Sequence, residues 1–385
     1  MTEPTIESMT YASTRPELRL VERVVLHEGP IPFQTLADRV IGPETRTLVM
    51  DLDRTVHLGR NMGELLGWEL GVLRAFGRAE LEAMEKDREP GRFLFDRRRF
   101  TGSLRYLREG FRTWASPGLY YFVFGKLPAK ADRSRRWAFR AFGDEPMRVV
   151  QRVPQNRLME LMGSVPAATL RELGARIWDR HADDQVVQRA HLDALRAQHP
   201  GLRIVLASAS PQPIVELAGE RLGVDVALGS SPGHINSGPA KIARLKARLP
   251  ELFADGARTV GLTDTGYGED HCWADHLGCV VDVNSDTPFS PFVAASSPLR
   301  AIHSAHPMTR AEERARARGV EDWVDPRRPR APRAEARAYE LPELEARVGG
   351  LLEEAVAAES ERAWHLDRAR REARRRLDDQ PPIAA

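Results

Sequence analysis

Thr47-Leu48-Val49-Met50-Asp51-Leu52-Asp53-Arg54-Thr55 decides how this chain is read. Four apolar residues stop at two carboxylates one residue apart, the pattern of a strand buried on both faces that delivers acids to its C-terminal end. Alternate residues of an extended strand point the same way, so the turn that follows can present Asp51 and Asp53 to one pocket.

Three further segments repeat the design. Arg203-Ile204-Val205-Leu206-Ala207 ends at Ser208, Thr259-Val260-Gly261-Leu262 ends near Asp264, and Cys279-Val280-Val281-Asp282-Val283 ends at Asn284. Amphipathic helical stretches, Pro213 to Leu222 and Lys241 to Leu249, lie between them. Strands alternating with helices predict a doubly wound α/β fold, a parallel sheet covered on both faces, with ligands beyond the carboxyl ends of its strands.

Outward from these strands the composition changes. Residues 59–199 are rich in helix formers and arginine and read as a helical insertion, within which aromatics separate the runs Arg97-Arg98-Arg99 and Arg133 to Arg136, and Arg97, Arg98 and Arg105 are candidates to meet an acidic part of a substrate. Leu18 to Leu26 reads as a helix followed by a loop through Gly29-Pro30. Residues 1–58 with 200–300 are thus expected to form the α/β core and 59–199 a second, helical domain. Residues 301–334, with Pro326, Pro329 and Pro332 among arginines, read as a linker. Residues 335–385 read as a charged helical extension, acidic around Glu353-Glu354 and basic from Arg368 to Arg376, a sign order that suits a helix dipole.

The totals bound the function. A chain of 385 residues, 42% hydrophobic and 29% charged, holds two or three structural units at roughly 100 to 200 residues each and excludes disorder and collagen-like architecture. The 57 Lys and Arg against 55 Asp and Glu leave a formal charge of +2, so the molecule is no polycation built to coat nucleic acid, and its arginine runs read as solvated surface. Two cysteines, Cys272 and Cys279, are too few for a disulfide framework and point to a reducing compartment, the cytoplasm. The N-terminus lacks the basic start and apolar stretch of a secretory signal. The apolar run Leu119 to Phe124 falls far short of the ~20 residues that span a bilayer. His271, Cys272, His276 and Cys279 match no common zinc-finger spacing, Gly233 to Gly238 leads into Pro239 and not a P-loop lysine, and no Gly-x-Ser-x-Gly elbow surrounds Ser208 or Ser210.

Taken together, the strand ends resemble the four signatures of the haloacid dehalogenase superfamily, in its phosphoserine phosphatase-like form. The first is Asp51-Leu52-Asp53-Arg54-Thr55, and the second is Ile204-Val205-Leu206-Ala207-Ser208-Ala209-Ser210-Pro211. The third is Gly238-Pro239-Ala240-Lys241, with Lys246 as the alternative lysine, and the fourth is Val260 to Asp270. Two departures stand out: Thr263 replaces the usual Gly before Asp264, and Gly268 occupies the shorter spacing of the second acid, leaving Glu269 or Asp270 to serve. The insertion falls where this subgroup carries its cap domain.

The resemblance implies a Mg2+-dependent phosphatase acting on a small phosphorylated molecule. Asp51 would be the nucleophile that forms an aspartyl-phosphate, Asp53 the general acid and base, and Ser208 and Lys241 the holders of the phosphoryl oxygens, with Thr55 beside the substrate. Oxygen-seeking Mg2+ would be held by Asp51, the Asp53 backbone carbonyl, Asp264, and Glu269 or Asp270. The second acid, Asp53, favours phosphoryl transfer over carbon-halogen cleavage, for which family members lack it. Phosphoserine, a sugar phosphate, a nucleotide and a lipid-derived monoester all remain open, as do the oligomeric state and which cap residues choose among substrates. Two other readings are transfer to an acceptor other than water, and a catalytically degenerate scaffold whose basic tail contacts nucleic acid.

Overall fold

The computed structural model describes residues 18–59, 61–86, 104, 158–264, 270–283, 289 and 292–320. Packing divides the chain into one unit of Met1–Leu119 with Arg152–Ala338 and another of Tyr120–Gln151 with Tyr339–Ala385. All described residues belong to the first. Arg97, Arg98, Arg99, Arg105 and the extension 335–385 lie outside the described residues.

The described elements, in chain order, are β1 (Leu18–Leu20), β2 (Arg23–Ile31), α1 (Phe33–Val40), β3 (Thr47–Met50), α2 (Met62–Phe76) and α3 (Arg78–Lys86). After the insertion come α4 (Ala167–Arg180), α5 (Arg189–Gln198), β4 (Arg203–Pro211), α6 (Gln212–Leu222), β5 (Val226–Ser230), α7 (Gly238–Arg248) and α8 (Pro250–Ala254). The remainder is β6 (Thr259–Thr263), β7 (Cys279–Val283), β8 (Phe292–Ala294), β9 (Ala301–Pro307) and α9 (Arg310–Ala317). Seven strands form one sheet in the order β2-β9-β7-β6-β3-β4-β5, all parallel, while β1 and β8 pair separately and antiparallel.

Alternation along each strand sorts its side chains onto two cores. Leu48 and Met50, Ile204 and Leu206, and Val281 and Val283 join one buried cluster with Leu66 and Leu70 of α2, Leu173 and Ile177 of α4, and Ile214 and Leu217 of α6. Val49, Val205, Ala207 and Val280 face the opposite cluster, with Ile242 and Leu245 of α7, Leu252 of α8 and Trp273. A sheet buried on both faces explains why these strands are apolar throughout rather than alternately polar.

Two expectations are corrected. Leu18 to Leu26 is strand, not helix: β2 runs through Gly29-Pro30 and pairs with β9, Val24 opposite Ile302 and Val25 opposite His303. Pro30 is accommodated because β2 is an edge strand whose register shifts between Leu26 and Pro30. The stretch from 301 is likewise more than linker, since β9 lies inside the sheet between β2 and β7. It is followed by α9, whose Thr309 and Glu312 cap its N-terminus reciprocally. The first segment does not carry its own evidence, because its strand pairs with β9 about 280 residues away. Among the described residues no helix is long and apolar enough to cross a membrane.

Candidate active site

The chain leaves β3 on one side for β4 and on the other borders β6, so the crevice beyond β3 is the switch point where such sheets bind ligands. Asp51 follows β3 directly, its N–H donating to the Leu262 carbonyl at 2.9 Å. The loop then folds back on itself, with Val56 and His57 both donating to the Leu52 carbonyl and Arg54 donating to that of His57 at 2.7 Å. Arg54 sits at φ 61°, the left-handed region that favours glycine. Its side chain turns back over the site, Nε 3.5 Å from Asp264 Oδ2.

Lys241, on the first turn of α7, is 2% exposed and reaches across to two acids. Its Nζ lies 3.2 Å from Asp51 Oδ1 and 2.7 Å from Asp270 Oδ1. The Trp273 ring lies under the same ammonium, 5.2 Å to its centroid. A lysine buried this completely requires such partners, because an unpaired ammonium would surrender its proton. Lys246, the alternative lysine, lies over the ring of Phe253 instead. The Thr263 hydroxyl donates to Asp270 Oδ2 at 2.8 Å, which gives the residue in the usual glycine position a function of its own. Asp270 is thus the acid brought to the pocket in the described residues, and Glu269 lies outside them.

Asp53 is held at both oxygens. The N–H of Met62, which opens α2, donates to Oδ1 at 2.7 Å, and the Ser210 hydroxyl donates to Oδ2 at 2.6 Å. Ser208 Oγ is farther from the same oxygen, 3.4 Å, and accepts the Ser210 N–H at 3.1 Å. Asn236 fastens this corner: its amide donates to the carbonyls of Ser208 at 3.0 Å and Leu228 at 2.9 Å, tying β4 to β5. Sequence reasoning missed Ser210, Asn236, Thr263 and the Arg54 contact. For Ser210 a signal was present, since Ser208 and Ser210 are alternate strand residues and face one side. Thr55 is fully buried behind the loop.

Burial governs the electrostatics, and the crowding of acids adds to it. Burial pushes the Asp51 carboxyl up to about 7, with the Lys241 charge opposing and Asp270 and Asp53 adding to the rise. Burial likewise raises Asp264 well above the usual carboxylate range, reinforced by Asp51 and relieved by Arg54. Asp53 is raised by burial and held back by its bonds from Ser210, Met62 and Ser208. Carboxylates that burial and mutual repulsion push toward the protonated form, only partly relieved by Lys241 and Arg54, are a donor set suited to a hard divalent cation. Asp51, Asp264 and Asp270 offer only oxygens, which fits Mg2+.

The fold and this crevice define an α/β protein with an acid-lined, lysine-bearing site at the strand ends of a parallel sheet. A family model described as haloacid dehalogenase-like hydrolase matches residues 129–267, a span that includes Ser208, Lys241 and Asp264. Over that span the chain is similar to the haloacid dehalogenase-like hydrolases. No curated protein matches the sequence. Among solved structures, a protein of unknown function from Bordetella pertussis Tohama I is 15% identical over 71% of this chain and 96% of its own, with a TM-score of 0.37. A phospho-aspartyl intermediate analogue of phosphoserine phosphatase is 12% identical over 63% and 87%, with a TM-score of 0.32. The L-2-haloacid dehalogenase of Xanthobacter autotrophicus is 13% identical over 62% and 78%, with a TM-score of 0.28.

Proposed function

We propose that the protein is a Mg2+-dependent phosphatase that hydrolyses a phosphate monoester of a small molecule. The observation that carries this reading is the pairing of Asp51, beside Lys241, with a second acid, Asp53, whose two oxygens are held by Met62 and Ser210. A carbon-halogen bond needs no proton donor for the departing halide, whereas an alkoxide does.

An Asp51 oxygen attacks phosphorus and the bond to the leaving oxygen breaks. Asp53, protonated in a share kept up by its burial, gives its proton to that oxygen. Asp53, now a carboxylate, takes a proton from water, whose oxygen attacks the phosphorus and releases Asp51 and inorganic phosphate. Lys241 and Ser208 hold phosphoryl oxygens, and Lys241 keeps Asp51 oriented. Mg2+, held by Asp51, Asp264, Asp270 and the Asp53 carbonyl, would neutralise phosphate charge so that an anionic nucleophile can approach.

The test is hydrolysis of an aryl phosphate by the purified chain with and without Mg2+, beside Asp51→Asn and Asp53→Asn. Metal-dependent turnover that vanishes with Asp51→Asn is the expected result. Turnover indifferent to both substitutions would refute the assignment.

A further inference from the structure

His57, His181 and Asp184 come together although 124 residues separate the first two. Each offers a donor atom, and the three donors lie within 4.8 Å of one another. His181 Nδ1 is 3.1 Å from Asp184 Oδ2, and His57 Nε2 is 4.0 Å from the same oxygen. His57 and Asp184 are buried, while the His181 side chain is 25% exposed.

The backbone builds this cluster on the far end of the loop that carries Asp53. Leu58 donates to the Asp184 carbonyl at 2.9 Å, Val186 donates to that of Val56 at 2.9 Å, and His57 bridges Gln185 antiparallel. His181 ends α4, and a short turn through Ala182–Asp184 returns the acid to its ring. Gly59 lies against the group so closely that a Cβ there would stand 2.5 Å from Asp184 Oδ2 and 2.8 Å from His57 Cε1. The approach of loop to cluster therefore requires glycine.

We infer that His57, His181 and Asp184 form a site for a divalent transition-metal ion of the zinc class, distinct from the Mg2+ pocket, that staples the loop carrying Asp53 to the chain returning from α4. Two imidazoles and one carboxylate suit zinc, cobalt or nickel and are a poor set for Mg2+. Bonds of about 2.0–2.1 Å in a tetrahedral site place donors roughly 3.3 Å apart, so side-chain shifts of about 1 Å close the set. The His57 Nε2, now 3.2 Å from the His181 carbonyl, would exchange its proton for the ion. Three protein ligands, with His181 toward solvent, leave a fourth position for water, which makes the ion exchangeable. Because Asp53 is bridged to His57 through the backbone, the ion would hold the catalytic loop in place.

The experiment uses the full chain, stripped with chelator and kept in excess Mg2+, titrated with Zn2+ by calorimetry and with Co2+ by visible absorption. One tightly held ion per chain is expected, with Co2+ bands of a low-coordinate nitrogen and oxygen site. Binding should weaken by about a hundredfold or more in His181→Ala, whose side chain is partly exposed, and in the near-isosteric Asp184→Asn, and persist in Asp51→Asn. No uptake by the wild type, uptake unchanged in both cluster variants, or uptake abolished by Asp51→Asn would each overturn the inference. The readout is binding, so it stands or falls apart from the phosphatase reading.

Discussion

The Ser210 hydroxyl donates to Asp53 Oδ2 at 2.6 Å, while the Met62 N–H takes Oδ1, so the second acid of the site is fixed by a strand end on one side and a helix start on the other. Both bonds favour the ionised form and hold the Asp53 carboxyl below where burial alone would put it. Ser210→Ala should therefore raise Asp53 further. In kcat/KM against pH, the limb on which the general acid loses its proton should move to higher pH, with kcat reduced and KM little changed. An unmoved limb would remove Asp53 from the titrating step.

Lys241 is buried between Asp51 and Asp270, and its removal leaves two acids facing each other without a cation. Lys241→Met is expected to destabilise the metal-free protein by about 3–5 kcal/mol at neutral pH, the cost of breaking a buried pair from one side. Lys241→Met combined with Asp270→Asn should recover part of that loss. Urea unfolding of the three proteins measures both.

The Asp51 carboxyl titrates near 7 in the folded protein against an ordinary 3.8, so the folded state binds the extra proton between those values. Stability contributed by this group is present below 3.8 and is lost as pH rises through about 7. In chelator, the melting temperature should carry a downward component over this range that Asp51→Asn removes. Adding Mg2+ at pH 7.5 should raise the melting temperature of the wild type and not of Asp51→Asn.

His303 behaves with the opposite sign. Burial, then the neighbouring His27 with Nε2 2.9 Å from its Nδ1, then Arg23, hold His303 down at about 3 against an ordinary 6.5. The folded state keeps the ring neutral where the unfolded state would protonate it, so this contribution is present above 6.5 and is lost as pH falls toward about 3. His303→Leu should flatten the acid side of the melting-temperature profile, and an unchanged acid side would show that the pair does not drive it.

The legible part of this protein is local. An apolar run ended by polar residues reads as a buried strand wherever it occurs, and such runs made β3, β4, β6 and β7 legible in the sequence. Leu18 to Leu26 failed because Leu-Val-Glu-Arg-Val-Val-Leu suits a helix or a strand equally, and the arbiter is β9, paired with it from the far end of the fold. Spacing alone did not show that Lys241 meets Asp51 while Lys246 lies over Phe253, because that depends on the direction in which the first turn of α7 faces.

By itself the sequence determined β3, β4, β6 and β7 and the polar character of their ends, since periodicity and strand-end composition are carried by neighbouring residues. Only the tertiary structure decided that Asp270 meets Lys241 and Thr263, that Ser210 holds Asp53, and that His57 meets His181 and Asp184. Those meetings depend on strand order and helix packing, which sum many weak contacts between distant segments and leave no mark on any one of them.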